Sequence, residues 1–490
     1  MTQEGASFKP TLGLLDATMI VAGSMIGSGI FIVSSDIARN VGSAGWLIFV
    51  WLLTGFMTLT AALSYGELSA MYPKAGGQYV YLKEAYNPLI GFLYGWSFFA
   101  VIQTGTIAAV GVAFSKFAAY IFPQLSEKNI LLDLGYFQFS SAQLVAVIVV
   151  VLLSYVNTRG VKEGKLIQTT FTLAKLLALF GLIVFGFILG ARAGVWDANW
   201  ADAWSFGKLA KTDVATELAY VGETVEKSFY PTWFAIVGAL SAAMVGSVFS
   251  SDAWNNVTFI AGEIKRPEKN IGLSLFFGTL IVTVVYVCAN LMYTAVLPMN
   301  EIAFAQDDRV AVAASQYIFG EVGTIVIALM IMVSTFGCNN GLILSGARVY
   351  YTMAKDGLFF KSVGRLNQNG VPAKALWIQC IWASILCLSG RYGDLLDYVV
   401  FVVLIFYVLT IIGIFKLRRT KPDMPRPYKA FGYPILPACY ILLASAMCIA
   451  LLFTKPKFAS FGLLIVLIGI PLYFLAVAGK KDGEQEPEAS

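Results

Sequence analysis

Apolar residues in this chain come in long runs, not short alternations, and runs of suitable length between charged or Pro/Gly breaks predict twelve membrane-crossing helices. They fall at about 11–37, 44–71, 88–121, 141–156, 164–190, 231–260, 271–297, 321–353, 375–390, 395–416, 434–454 and 459–478. Spans one to five fill 11–190 and spans six to ten fill 231–418, two stretches of similar length. An odd number of helices per repeat sends the second copy into the membrane from the opposite side. The pattern therefore predicts an all-α polytopic membrane protein with a 5+5 inverted repeat and two accessory helices at 434–478. The rest is a polar tail at 1–10, a loop at 191–230, a proline-rich connector at 419–433 and a second tail at 479–490.

Composition agrees: of 490 residues, 58% are hydrophobic and 13% charged, against about 25% charged in soluble proteins. There is no histidine, which removes Ser-His-Asp hydrolysis, imidazole metal sites and histidine proton relays. The six cysteines lie in apolar stretches and read as packing residues. Met1–Pro10 is polar and the first apolar run leads straight into further spans, so it does not read as a cleavable signal and is expected to be cytosolic. With both tails inside, basic residues favour the inner segments about two to one. The net charge of +5 thus reflects orientation in a bilayer and implies no nucleic-acid partner.

The first span of each half is interrupted at its middle. Span one carries Gly23, Gly27, Ser28 and Gly29 where a lipid-facing helix has bulky aliphatics; span six carries Ser250, Ser251, Asp252, Ala253, Asn255 and Asn256 after Phe249. Glycine loosens a helix, and short polar side chains compete for its backbone hydrogen bonds. Paired broken helices point to a transporter's binding site, with N–H groups at a half-helix start for a carboxylate and carbonyls at a half-helix end for an ammonium. An α-amino acid offers both charges. The alternative is close packing of small residues, Gly23 and Gly27 having that spacing.

Lys175 lies ten residues beyond Lys165, about 15 Å along a helix and near mid-membrane. Such a cation needs carbonyls, hydroxyls or a carboxylate, and Asp16, Glu67 and Asp252 are structural alternatives. Glu67 and Glu263 sit near inner span ends beside basic residues, as gate salt bridges or as solvated helix-end charges. Asp252 has three readings: a substrate ligand, a proton carrier alternating with Lys175, or the N-cap of the second half of span six.

The motifs Gly27–Phe31, Tyr65–Tyr81 with Pro73 and Gly76–Gly77, Phe171–Leu179, Glu263–Glu268, Ser345–Arg348 and Arg426–Pro434 together resemble the amino acid, polyamine and organocation transporter superfamily, most of all the L-type amino acid transporters. The resemblance implies a leucine-transporter-like fold. It implies that amides near Ser28 and Gly29 hold the substrate carboxylate, that carbonyls near Met25, Ile26, Phe249 and Ser251 hold its amine, and that Phe249 is an aromatic gate. It also implies that the Lys175 ammonium occupies a sodium position, touching first-span carbonyls and Ser334. Asp252 and Ala253 stand where the family often has glycines, and Val403 where some relatives are polar.

The expected substrate site is thus Met25, Ile26, Gly27, Ser28, Gly29, Phe249, Ser250, Ser251, Asp252 and Ala253, with Lys175 and Ser334 as the ion site and Glu67 and Glu263 as gating residues. No metal or other cofactor is expected. Nothing clusters as an enzyme's nucleophile, acid or metal set, and two broken helices in one chain differ from a channel's repeated filter. The expected function is sodium-independent carriage of amino acids, neutral ones first, by exchange or proton symport. Cationic amino acid or polyamine carriage through Asp252, or a sensor with a transporter fold, is the alternative. Some L-type transporters are disulfide-linked to an accessory subunit through an outer cysteine after the third span. Phe122–Ser140 has none, so no such partner is expected.

Overall fold

A computed structural model describes residues 10–135, 138–215, 221–389 and 392–483; most of the N-terminal tail and the last residues of the C-terminal one lie outside them. Among the described residues eleven helices are long and apolar enough to cross a membrane. The expected ninth span, Ala373–Ser389, is a helix of 17 residues, at the lower end of what a bilayer core requires. Their ends follow local chemistry. Asn87 caps the third span by accepting from the Ile90 N–H at 3.0 Å, with Pro88 at the first helical position. Ser140 and Gln143 form a capping box before the fourth.

Among the described residues, the first, third, sixth and eighth spans depart from simple helices. The first runs Leu14–Met25, opens at Ile26–Ser28 and resumes as Gly29–Ile32 and Ser34–Val41, where Gly42 (φ 69°) ends it. The sixth runs Trp233–Ser250, opens, and resumes as Asn256–Phe259. The third, Pro88–Ile121 overall, holds a π-helical turn at Phe98–Ile102, a distortion that widens a helix locally. The eighth lies in one long helix, Val310–Lys355, bent at Gly320 (φ 68°).

The fold is helical as expected, with two short β pairings in its connections: Ile130–Asp133 pairs with Gln138–Ser140, and Gly207–Ala215 pairs antiparallel with Val221–Phe229 over nine residue pairs. The segment 191–230, expected as a loop between the halves, carries the second pairing and the helix Ala193–Ala201. That helix and hairpin cover one end of the bundle, the rim. Asn199 donates to the carbonyls of Thr294 and Leu297 at 2.8 and 2.9 Å, and Tyr230 donates to the Asn40 carbonyl at 3.0 Å.

The other end, the base, is tied by ion pairs. A short helix, Gln78–Ala85, lies between the second and third spans, and its Lys83 pairs with Asp356 at 2.6 Å. Lys421 meets Glu84 at 2.8 Å, and that carboxylate raises the Lys421 pKa above the ordinary lysine value. The N-terminal stretch also docks there. Thr11 and Leu12 N–H groups both donate to the Glu263 carbonyl, and Lys265 N–H returns a bond to the Leu12 carbonyl, a parallel bridge joining the start of span one to the end of span six.

Candidate functional site

The two breaks meet at the centre of the bundle. A Cβ added to Gly29 would lie 1.8 Å from Ser250 Oγ, 2.5 Å from its Cβ and 3.0 Å from its Cα, so only glycine lets the half-helix of span one touch the sixth span here. Gly27 is packed less rigidly, its added Cβ meeting Cys338 Sγ at 3.0 Å. Tyr286 of the seventh span ties the breaks together, its hydroxyl lying 3.1 Å from both the Met25 and Ser250 carbonyls. Trp51 packs edge-on against that ring at 5.2 Å. Small-residue packing and backbone opening are thus one arrangement, because the glycine that packs is also where the helix restarts.

Lys175 is fully buried. Its ammonium donates to the Gly23 and Ile26 carbonyls at 2.5 and 2.6 Å, groups left without intrahelical donors by the break. The carboxylates offered as alternative partners are engaged elsewhere: Asp16 accepts from the Gly13 N–H, Glu67 from arginines and Asp252 from a tyrosine. Ser334 Oγ is buried and makes no hydrogen bond, so the expected Lys175–Ser334 contact is not formed. The neighbouring Cys338 thiol reaches the Ser24 carbonyl at 3.1 Å.

Around Asp252 the backbone turns sharply. Ala253 has φ 63°, a left-handed conformation costing a non-glycine residue about 1 kcal/mol, so this departure from the family's glycines falls where glycine fits best. Asp252 does not cap the second half-helix. That position belongs to Asn255, whereas the Asp252 carboxylate accepts from the Tyr407 hydroxyl of span ten and from the Ala253 N–H. A small cavity, with room for about one water, lies alongside, walled by Gln78, Gln103, Asp252, Asn255, Asn256 and Tyr407 among others. Gln78 spans it, donating to Thr410 and accepting from Asn255, both at 3.0 Å.

The two glutamates are buried nodes, not solvated ends. Glu67 receives a fork from Arg418 at 3.0 and 2.7 Å and the Ala430 N–H at 2.7 Å, and it forms an ion pair with Arg426, whose Nε lies 3.4 Å away. It thereby joins spans two and ten to the proline-rich connector. Glu263 meets the buried Arg348 of span eight at 3.1 Å. Glu67→Gln is expected to cost about 3 kcal/mol, the range for breaking a buried ion pair from one side. A fall of several degrees in the melting temperature of the detergent-solubilised protein would show it; an unchanged melting curve would refute it. The rim carries a wide, open vestibule of about 1520 Å³ bordered by Lys116, Arg309, Asp394, Asp397, Lys455 and Lys457.

The sequence reading missed Tyr286, Tyr407 and Gln78. Their signal is a polar tip in an otherwise apolar surrounding, where a hydroxyl or amide must find a partner.

Comparison with known proteins gives this arrangement its family. Residues 12–476 match the family model described as amino acid permease. The chain belongs to the amino acid permease family. This permease is 30% identical over 476 residues to the large neutral amino acids transporter small subunit 2 of Homo sapiens, covering 96% of this chain and 81% of that protein. It is 29% identical to the serine/threonine exchanger of Bacillus subtilis (strain 168), covering 97% and 98%, and 28% identical to the b(0,+)-type amino acid transporter 1 of Homo sapiens, covering 96% and 88%. The permease is therefore a multi-pass integral membrane transporter with the leucine-transporter-like helical fold, and not an enzyme.

Proposed function

We propose that this permease carries neutral amino acids by alternating access, without sodium, as an exchanger or proton symporter. The observation that carries the reading is the junction of the two broken helices at Gly29 and Ser250, cross-tied by Tyr286. Amides at the restart of span one, near Ser28 and Gly29, receive the substrate carboxylate. Its ammonium lies against carbonyls of Met25, Phe249 and Ser251, with Phe249 closing over it. Ile26 serves Lys175 instead, since its carbonyl already accepts that ammonium. Gly27, Ser250 and Ala253 shape the backbone.

The fixed charge of Lys175 replaces a cation. At 4 Å and an effective dielectric of 20, it repels a second monovalent cation by about 4 kcal/mol. Glu67 and Glu263 hold the base closed, and the basic bias of the inner segments supports a cytosolic side for the base and both termini, in a plasma or inner membrane. A second reading, transport of cationic amino acids, is favoured by one observation, the buried carboxylate of Asp252 beside the cavity. Uptake of labelled amino acids into proteoliposomes, with and without sodium, a pH gradient and internal substrate, tests both.

Purified permease is expected to transport with no second subunit. Its six cysteines are unpaired and lie in helices or at their edges, and the connection after span three has none. Activity that emerges only when a partner chain is added would overturn this.

A further inference from the structure

Between spans three and four the chain makes a short hairpin, Ile130–Asp133 against Gln138–Ser140. Its foot, with Ser126, Lys128 and Asn129, borders the rim vestibule and is fixed to the start of span four. Ile130 stands opposite Ser140, the cap of that span. The Ser141 N–H donates to the Asn129 carbonyl at 3.0 Å, and its hydroxyl donates to the Gln124 carbonyl at 2.7 Å. Span four, Ser141–Arg159, has 19 residues, which at about 1.5 Å each only just cross a hydrocarbon core of about 30 Å. Ser141 therefore sits at the edge of the hydrocarbon, and the strand paired to its cap lies at the same level.

At that level the hairpin is apolar on both faces. Ile130 pairs with Ser140 and Leu132 with Phe139, Leu131 being the extra residue of a bulge. Neighbours on a strand point to opposite faces, so Ile130 and Leu132 do too. Yet Ile130, Leu131, Leu132 and Leu134 are 40, 49, 48 and 50% exposed, and neither face is covered by the bundle. On span four an exposed stripe of Leu144, Ile148, Leu152 and Tyr155 begins one turn after Ser140 and continues this apolar surface along the lipid-facing side of the helix. We propose that the hairpin is an interfacial anchor, its apolar side chains seated at the boundary of headgroups and acyl chains in the leaflet at the rim. Hydrogen bonding limits the depth. A two-stranded hairpin leaves its outer edges unpaired, which hydrated headgroups tolerate and hydrocarbon does not. The Asp133 carboxylate is kept paired in the turn by the Gly135 N–H at 2.8 Å and the Gln138 amide at 3.1 Å. Since the hairpin joins spans three and four, the anchor fixes their height in the bilayer, whatever the permease carries.

The test is electron paramagnetic resonance of nitroxides attached to Ile130→Cys, Leu132→Cys and Lys128→Cys in proteoliposomes of phosphatidylcholine and phosphatidylglycerol, with the signal of the protein lacking an added cysteine subtracted. Dissolved oxygen, which gathers among acyl chains, and a water-soluble nickel chelate together report depth. The labels at Ile130 and Leu132 are expected to favour oxygen and to lie about 5–10 Å below the headgroup surface, the depth of interfacial apolar faces, while the label at Lys128 favours nickel. A label at either apolar position that is as open to nickel as the one at Lys128 places the hairpin in water and overturns the proposal. Labels shielded from both reagents show cover by protein, a second copy or another chain, and overturn it as well. A nitroxide is itself apolar, so the Ile130 label is also read in a variant carrying Leu131→Asp and Leu132→Asp. There it should rise to the nickel accessibility of the Lys128 label. An unmoved label would show that the nitroxide, and not the leucines, seeks the lipid, and would overturn the anchor.

Discussion

Gly29→Val is expected to reduce uptake about 100-fold or more while the protein still inserts and purifies as a folded monodisperse species. The reason is geometric. Any Cβ at this position falls inside Ser250, and the third close atom is backbone, 3.0 Å away, so no rotamer change relieves the clash. The sixth span must move at the point where the Tyr286 hydroxyl holds both breaks, and displacements of about 1 Å at a site are enough for losses of that size. Gly27→Ala is expected to be much milder, because its neighbour is the end of the Cys338 side chain. A double variant decides whether contact with Ser250 is the cause: Gly29→Ala with Ser250→Gly removes the side-chain clash and should recover much of the loss, a coupling that independent sites do not show. Wild-type affinity in Gly29→Val would show that the glycine only packs.

Lys175→Ala is the second large effect. The ammonium is the donor that satisfies the Gly23 and Ile26 carbonyls, and each buried group left unpaired costs about 1–3 kcal/mol. Turnover is expected to fall at least tenfold, and any pH dependence of exchange that runs through this amine should vanish. In the wild type, uptake should be equal in sodium and in choline. Strict sodium dependence of the wild type would contradict the replacement of an ion by Lys175. Unchanged turnover in the alanine variant would make the lysine a packing element.

Much of this was legible because the residues concerned violate a local rule. Glycines in mid-span, a serine-aspartate run in a helix and a lysine ten residues from water each cost free energy unless something uses them, and each lies at the structural junction. What was illegible depended on distant partners. Nothing near Glu67 announces Arg418 or Ala430, so a solvated charge and a buried node read alike. The cap stood among three readings of Asp252 because the sequence does not tell how many residues a break consumes; the helix restarts at Asn256, which hands the cap position to Asn255. Tyr286 and Tyr407 are two of 23 tyrosines, set apart only by what they face. The rim hairpin was hidden because its strands, with Lys208, Lys211, Glu223, Glu226 and Lys227 among their residues, lack a clear apolar alternation.

The bridge between Leu12 and Ile264 also constrains how the chain is made. Half of the polypeptide lies between its two sides, so during synthesis the first five spans enter the bilayer with their leading strand unpaired. The groove it will occupy does not exist until the sixth span has emerged. Non-local closures of this kind form late. The order of assembly therefore leaves the base open until the second half arrives, and a chain truncated after the fifth span would have no means of sealing it.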